Sequence, residues 1–404
     1  MEKKLFLICL LSFLIIIASC EDYVTSVDPP IDQIADKQLD SESQIDFLVK
    51  GVQASFAVAY CRVGFIADLL SDEMFFDINL PHATFPAYAA IDEGVISLDN
   101  WSIELPFERL GEFRFVADDL VRRTGFIVFT DENKKNEALF NGYFFSGIAR
   151  YLYAAYFGLT ENAGGGVIDN GPFIPSEEMY DLAIEKLQVS LSYTEDDYLI
   201  RVINSLMARI FLFMDDYQSA RQYGQNGMQE GDSPYQALYT IGNVNYYYYY
   251  AGRFRTQNAV DFRFHDYILA DSTESNRILI ESIIGTNEQT YYRQAKYLTE
   301  ESPITLISWQ ENELMLAELD LREGNDTNAL DRVNRVRASQ GIGPLDSMTM
   351  EDLIDERDKE MFVTGIRLID QRRFDDEYNT WHLGPNTWRY LPIPESERSA
   401  NPNF

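Results

Sequence analysis

Residues 206–220 read Leu-Met-Ala-Arg-Ile-Phe-Leu-Phe-Met-Asp-Asp-Tyr-Gln-Ser-Ala, and their reading settles the fold class. Helix-period patterns cover 197–213 and 216–229, so Asp215-Asp216 falls between two helices as a turn, with Tyr217 beside it. Ala208 and Ala220 stand twelve residues apart, with the aromatic Phe211 between them. Two antiparallel helices joined by so short a turn approach each other most closely at such positions, and only small side chains fit there.

The same spacing returns at Ala317, Asp320 and Ala329, with Asp320 in place of the aromatic and Asn325-Asp326 at the turn. Its helices are expected at 305–323 and 326–339. The small–aromatic–small spacing resembles that of a tetratricopeptide repeat. Patterns at 139–158 and 176–192 read as a third pair, split by Gly164-Gly165-Gly166, which is expected to be a flexible turn. Further helices are expected over 106–123, over 349–363, and over 44–70, where Phe47, Leu48, Val52, Phe56 and Tyr60 form a stripe after capping Ser41 and Ser43. Residues 74–105 lose the period and are rich in Phe, Pro, Tyr and Trp, and 232–304 are mixed and aromatic. The expected architecture is all-α: tetratricopeptide-like helix pairs with an irregular, loop-rich face, forming one domain over 44–404.

Ahead of that body, Lys3-Lys4 and the apolar run Leu5–Ile17 have the layout of a secretory signal. Ile17-Ala18-Ser19-Cys20 resembles the lipobox of bacterial lipoproteins, in which cleavage precedes the cysteine and the thiol is acylated. Residues 1–19 are therefore expected to leave, Cys20 to carry lipid, and acidic residues 20–43, with Pro29-Pro30, to act as a flexible tether. Glu21-Asp22 resembles the acidic export tag that sends some lipoproteins to the cell surface. The formal charge is −32, from 65 acidic and 33 basic residues, and losing Lys3, Lys4 and Glu2 makes it one unit more negative. Such a balance disfavours nucleic acid and anionic lipid as partners and suits neutral or cationic ligands. With Cys9 and Cys20 gone, Cys61 has no disulfide partner and is expected to pack as a small apolar residue. No apolar stretch after residue 19 reads as long enough to span a bilayer.

The C-terminal third carries a more specific series. Glu313–Leu319 leads through Gly324 and Ala329 to Val333-Asn334-Arg335-Val336-Arg337. Glu356-Arg357, Glu360, Gly365-Ile366-Arg367, Asp370 and Arg372 follow, and Tyr390-Leu391-Pro392-Ile393-Pro394, Glu397 and Asn401-Pro402 close the chain. With Asn136–Phe157 and Leu206–Ala220, these five segments in order resemble the SusD/RagB family of surface nutrient-binding lipoproteins. Two departures stand out. The chain is shorter than typical members, and Met361-Phe362-Val363-Thr364-Gly365 replaces the family's Leu-x-x-Glu-Gly, removing an acidic residue. Glu356, Arg357, Glu360 and Arg367 lie at helix-like spacing, where opposite charges can pair. Pro392 and Pro394 fix an extended segment, so this region is expected to latch the C-terminus across the helical body.

The resemblance implies capture of an oligosaccharide and its delivery to a TonB-dependent outer-membrane transporter, with no catalysis. A peptide-capturing member is the alternative, and a glycoside hydrolase a remoter one. His82, His265 and His382 form no pair, and no phosphate loop, dinucleotide fingerprint, nucleophile elbow or metal-ligand motif is present, so no cofactor or metal is expected. Acidic pairs such as Asp118-Asp119 and Glu177-Glu178 could serve a glycosidase, but among 65 acidic residues they carry little weight. Sugars are held by aromatic faces together with amide and charged side chains. Two segments offer that mixture: Phe85, Tyr88, Asn100 and Trp101, and Asn243, Asn245, the run Tyr246–Tyr250 and Arg253. Tyr246, Tyr248 and Tyr250 are taken to face the ligand, since alternate side chains of an extended run share a face. Trp309 and Trp388 read as core, and Trp381 is open between core and surface.

Overall fold

A computed structural model describes residues 36–404. Cys20, the signal segment and the first part of the tether lie outside the described residues. The central element is helix α1, Ile45–Leu70, whose Val49, Val52, Phe56, Tyr60 and Val63 are buried. Phe47, expected in that stripe, is exposed. Ser41 and Ser43 bond each other at 3.0 Å, and the cap position is Gln44, without a side-chain bond. The segment Glu42–Leu70 is long and apolar enough to cross a bilayer, which corrects the expectation from sequence. Its sides, however, are covered by α3 (Trp101–Thr124) and α4 (Glu132–Tyr156), after the short α2 (Ala87–Asp92). Cys61 sits in this interior, and burial pushes its thiol up to about 11.

The end of the expected tether does not trail from the body. Arg123 on α3 donates to Asp36 and, at 2.8 Å, to Asp40, while Glu42 accepts from the backbone of Thr130 and Asp131.

The helix pairs form as the spacing requires. α4 packs on α5 (Ser176–Ser190), α6 (Asp197–Phe213) on α7 (Tyr217–Gly224), and α10 (Trp309–Arg322) on α11 (Asp326–Ser339), with α8 (Tyr246–Ala251) and α9 (Arg263–Ala270) in the aromatic region between. Ala208, Ala220, Ala317 and Ala329 are all buried. In the first repeated pair Phe211 stacks on Tyr223 at 5.3 Å. In the second, the equivalent Asp320 accepts from Arg221 and Arg332, both at 2.8 Å, so a carboxylate joins the two pairs where a ring would have packed. Deeper between them, Arg209 on α6 meets Glu311 on α10.

Small sheets supplement the helices: β1 (Met74–Phe75) pairs with β6 (Ala259–Val260), β5 (Tyr235–Ala237) with β9 (Ile304–Ile307), and β7 (Ile280–Ile284) with β8 (Thr290–Gln294). Strands β2 (Phe157–Thr160), β3 (Ala163–Gly166), β4 (Ile174–Pro175) and β10 (Leu391–Pro392) form one sheet in the order β10-β2-β3-β4, with β10 parallel to β2. The triple glycine is thus strand β3 and not a flexible turn. A Cβ on Gly164 would lie 2.3 Å from the Tyr390 ring, and Gly165 has φ +145 with Ile174 backbone 2.1 Å from its would-be Cβ. Glycine here lets the C-terminal extended segment seat against the sheet, as Pro392 and Pro394 suggested.

The latch differs in its pairing. Glu356 on α12 (Met350–Glu360) accepts from Arg277 and Arg337, Arg357 donates to Asp370 at 2.8 Å, and Arg367, opening α13 (Arg367–Tyr378), donates to Asp72. Arg357 thus pairs with Asp370 of the same motif, but Glu356, Arg357, Glu360 and Arg367 do not pair with one another, and Arg367 lies beyond the end of α12 at Glu360. In the intervening turn, Gly365 has φ +85 and a Cβ there would strike Gly64 at 2.7 Å. Its N–H donates to Asp68, and that of Val363 to Glu73. Trp309, Trp381 and Trp388 are buried. The pair Asp118-Asp119 is taken up by arginines 114, 122, 123 and 150.

Candidate functional site

The tyrosine run is helical, so its faces follow a period of 3.6 residues and not alternation. Asn245 starts it by accepting from the N–H of Tyr247 at 2.9 Å and of Tyr248 at 3.2 Å, while its amide donates to the Ser302 carbonyl at 2.8 Å. With every polar group engaged and the residue fully buried, Asn245 builds α8 and does not reach a ligand. Tyr246 and Tyr250, four apart, share one face with ring centroids 4.8 Å apart. Tyr247 points inward, where its hydroxyl donates to Asp68 at 2.6 Å. Tyr248 and Tyr249 turn toward Phe254, at 6.2 and 4.3 Å.

The other segment meets this helix. Asn100 caps α3 by accepting from Ser102 N–H at 2.9 Å and donates to the Ala87 carbonyl at 3.1 Å, so it too is structural. That cap fixes Trp101 at the first helical position, with 51% of its surface exposed. Phe85 stands edge-on to Trp101 at 5.3 Å and to Tyr250 at 5.8 Å. Tyr88 lies beneath them, 5.7 Å from Phe85, and burial drives its phenol well above the ordinary value. Gln257 holds the Phe85 loop, accepting from Thr84 N–H at 2.9 Å and donating to the Thr84 hydroxyl at 3.0 Å.

The two sequence segments thus converge into a row of rings: Trp101, Phe85, Tyr250, Tyr249 and Phe254, joined by centroid separations of 5.3, 5.8, 4.9 and 4.3 Å. Both ends, Trp101 and Phe254, are half exposed. Cations flank the row. Arg62 from α1 lies 4.1 Å from the Tyr246 ring centroid and donates to that residue's hydroxyl, and burial pushes the phenol up to about 12. Arg255 lies 5.1 Å from the Phe85 centroid and donates to Thr84 at 2.8 Å. Arg253 is paired with Glu281, which also accepts from Arg293. The carboxyl of Glu281 is held down to about 2 by Arg253 first.

Of the residues singled out from sequence, Trp101, Tyr246 and Tyr250 stand on or against this row, Tyr248 borders it, Tyr88 supports it, and Asn100 and Asn245 scaffold it. Arg62, Arg255 and Phe254 were not among them, and Tyr249, although within the run, was not taken to face the ligand. For Tyr249 and Phe254 a helical reading of the run supplies the signal. For Arg62, 184 residues from Tyr246, sequence supplies none.

No family model matches the sequence, and no curated protein matches it. Solved structures do match. A SusD superfamily protein from Bacteroides thetaiotaomicron is 16% identical with a TM-score of 0.73, covering 90% of this chain and 98% of its own. A SusD-like carbohydrate binding protein from Bacteroides vulgatus is 13% identical with a TM-score of 0.69, over 90% and 97% of the two chains. Surface glycan-binding protein A from Bacteroides thetaiotaomicron is 12% identical with a TM-score of 0.69, over 90% and 98%. The chain has the SusD-like fold over nearly all of its length.

Proposed function

We propose that this chain, folded as the SusD superfamily proteins are, belongs with them as a surface glycan-binding lipoprotein anchored in the outer membrane through Cys20. It captures oligosaccharides and passes them to a TonB-dependent outer-membrane transporter, and performs no covalent chemistry. The observation that carries the reading is the row Trp101–Phe85–Tyr250–Tyr249–Phe254. Single exposed aromatics are ordinary on a protein surface, but a contiguous row built by segments about 150 residues apart marks a binding surface. Pyranose C–H faces pack on such rings while guanidinium and hydroxyl groups bond the hydroxyls. The names of the structural neighbours, which include carbohydrate-binding and surface glycan-binding proteins, support the same ligand class.

Titration of the purified protein against a panel of oligosaccharides and peptides tests this. Saturable binding to an oligosaccharide, unchanged in length after prolonged incubation, is the expected result. Reducing ends released by repurified protein would make it a glycoside hydrolase instead, and binding confined to peptides would replace the ligand class.

A further inference from the structure

We propose that the ligand of the aromatic row is an acidic oligosaccharide, whose carboxylate or sulfate groups are held by Arg62 and Arg255. The inference rests on the row being the binding site, and it reverses what the overall charge suggests. With 65 acidic residues against 33 basic ones, a carboxylate is available to almost any arginine. The buried arginines take them: Arg209 with Glu311, Arg277 with Glu356, Arg357 with Asp370, Arg373 with Glu318.

Among the described residues, Arg62, Arg255, Arg372 and Arg398 are the arginines without an ion-pair partner. Arg372 donates to the carbonyls of Ala155 and Arg389, and Arg398 to those of Leu159 and Ile393, so both serve the C-terminal latch. Arg62 and Arg255 have no such employment. Each makes one side-chain hydrogen bond to a neutral hydroxyl, of Tyr246 and Thr84 respectively. A guanidinium has five N–H donors, so most of each fork stays open.

Both lie over rings that belong to or adjoin the row, Tyr246 and Phe85, which are joined through Tyr250 at 4.8 and 5.8 Å. The ring beneath and the hydroxyl bond together position each guanidinium, and a planar fork matches a carboxylate or sulfate with two parallel bonds. Sulfate esters and uronates share this requirement. The field of the whole chain opposes an anion at long range, but salt screens it beyond about 8 Å at physiological ionic strength, where the nearby guanidiniums prevail.

The test uses an array of oligosaccharides of several backbones, in which each uronate-bearing or sulfated member has a neutral counterpart of the same linkage. The expected result is roughly tenfold tighter binding of an acidic member than of its counterpart, weakening as salt rises. Arg62→Gln and Arg255→Gln should each lower affinity for the acidic member several times more than for the neutral one, and Arg255→Lys should restore part of it, with melting temperatures showing each variant folded. Preference for uronates or for sulfates within the array separates the two chemistries. Equal or tighter binding of neutral members would overturn the inference and leave the binding row standing. Absence of binding to every member would remove both.

Discussion

The hydroxyl of Tyr247 donates a 2.6 Å hydrogen bond to Asp68, pinning the tyrosine helix to α1 from beneath the aromatic row. Both residues are fully buried, and the same carboxyl oxygen accepts from Gly365 N–H at 3.0 Å. One acidic group thereby joins α1, α8 and the C-terminal turn. Removing the phenol oxygen leaves that carboxyl short of a donor in a dry interior, which costs about 1–3 kcal/mol. Tyr247→Phe should therefore lower the urea midpoint and also weaken ligand binding, since α8 loses its tie. A variant as stable as the parent would show that the bond contributes nothing net.

Trp101 tests the row directly. Its ring touches Phe85 and is half exposed, whereas Trp309 is buried. Trp101→Ala should lower affinity several-fold or more, as loss of a stack worth about 1 kcal/mol requires, with little change in melting temperature. Trp309→Ala leaves a core cavity and should cost ~3–5 kcal/mol of stability. Unchanged affinity of the Trp101 variant for a verified ligand would remove that residue from the site.

Sequence was most legible where helix ends carry their own signals. The span 197–213 matched α6 because Asp196 caps it, and 326–339 matched α11 because a turn and a Gly precede it. Helix α13 was missed because its buried apolar residues, Leu368, Ile369 and Phe374, are few and set among charges, two of which, Asp370 and Arg373, have buried side chains too and pair with Arg357 and Glu318. The β3 glycines looked like a turn because sequence does not reveal the Tyr390 ring lying against them. At the site, the aromatic segments were visible from composition, but they converge on Phe65 of α1, which also brings in Arg62, and nothing in the sequence near Arg62 shows this.

The Arg209–Glu311 pair joins two helix pairs, with Nε to Oε1 at 2.7 Å and both side chains almost wholly excluded from water. Glu311→Gln leaves a buried guanidinium uncompensated and should cost about 3–5 kcal/mol. Replacing both, as Arg209→Met with Glu311→Leu, should recover much of that loss, because the desolvation cost disappears with the charges. Chemical denaturation of the single and double variants compares them; a double variant no better than the single would contradict this account.

Cys20→Ala should abolish lipid attachment and leave the protein unprocessed or soluble. Labelled fatty acid incorporated by that variant, together with outer-membrane fractionation, would refute the anchor.

Stability should peak at mildly acidic pH. Burial raises the carboxyls of Asp68 and Asp92 to about 7 and raises that of Glu73 as well. Between about pH 4 and 7 the folded state then holds protons that the unfolded chain has released, so stability falls as pH rises through that window. The large negative charge, growing as pH rises, acts in the same direction. Carboxyls held low work oppositely. Asp358, which Arg263 helps hold to about 2 against the cost of its burial, and Glu281, held there by Arg253, contribute stability above their unfolded values and lose it as pH falls toward 2. Urea midpoints should therefore be higher near pH 5 than at pH 8 and should drop again below pH 4. Asp92 accepts from the Phe76 N–H at 3.0 Å, a bond an asparagine oxygen can keep, so Asp92→Asn should flatten the slope between pH 5 and 8 without unfolding the protein. Midpoints that stay level or rise from pH 5 to 8 would show that burial does not hold protons on these carboxyls and would overturn this account.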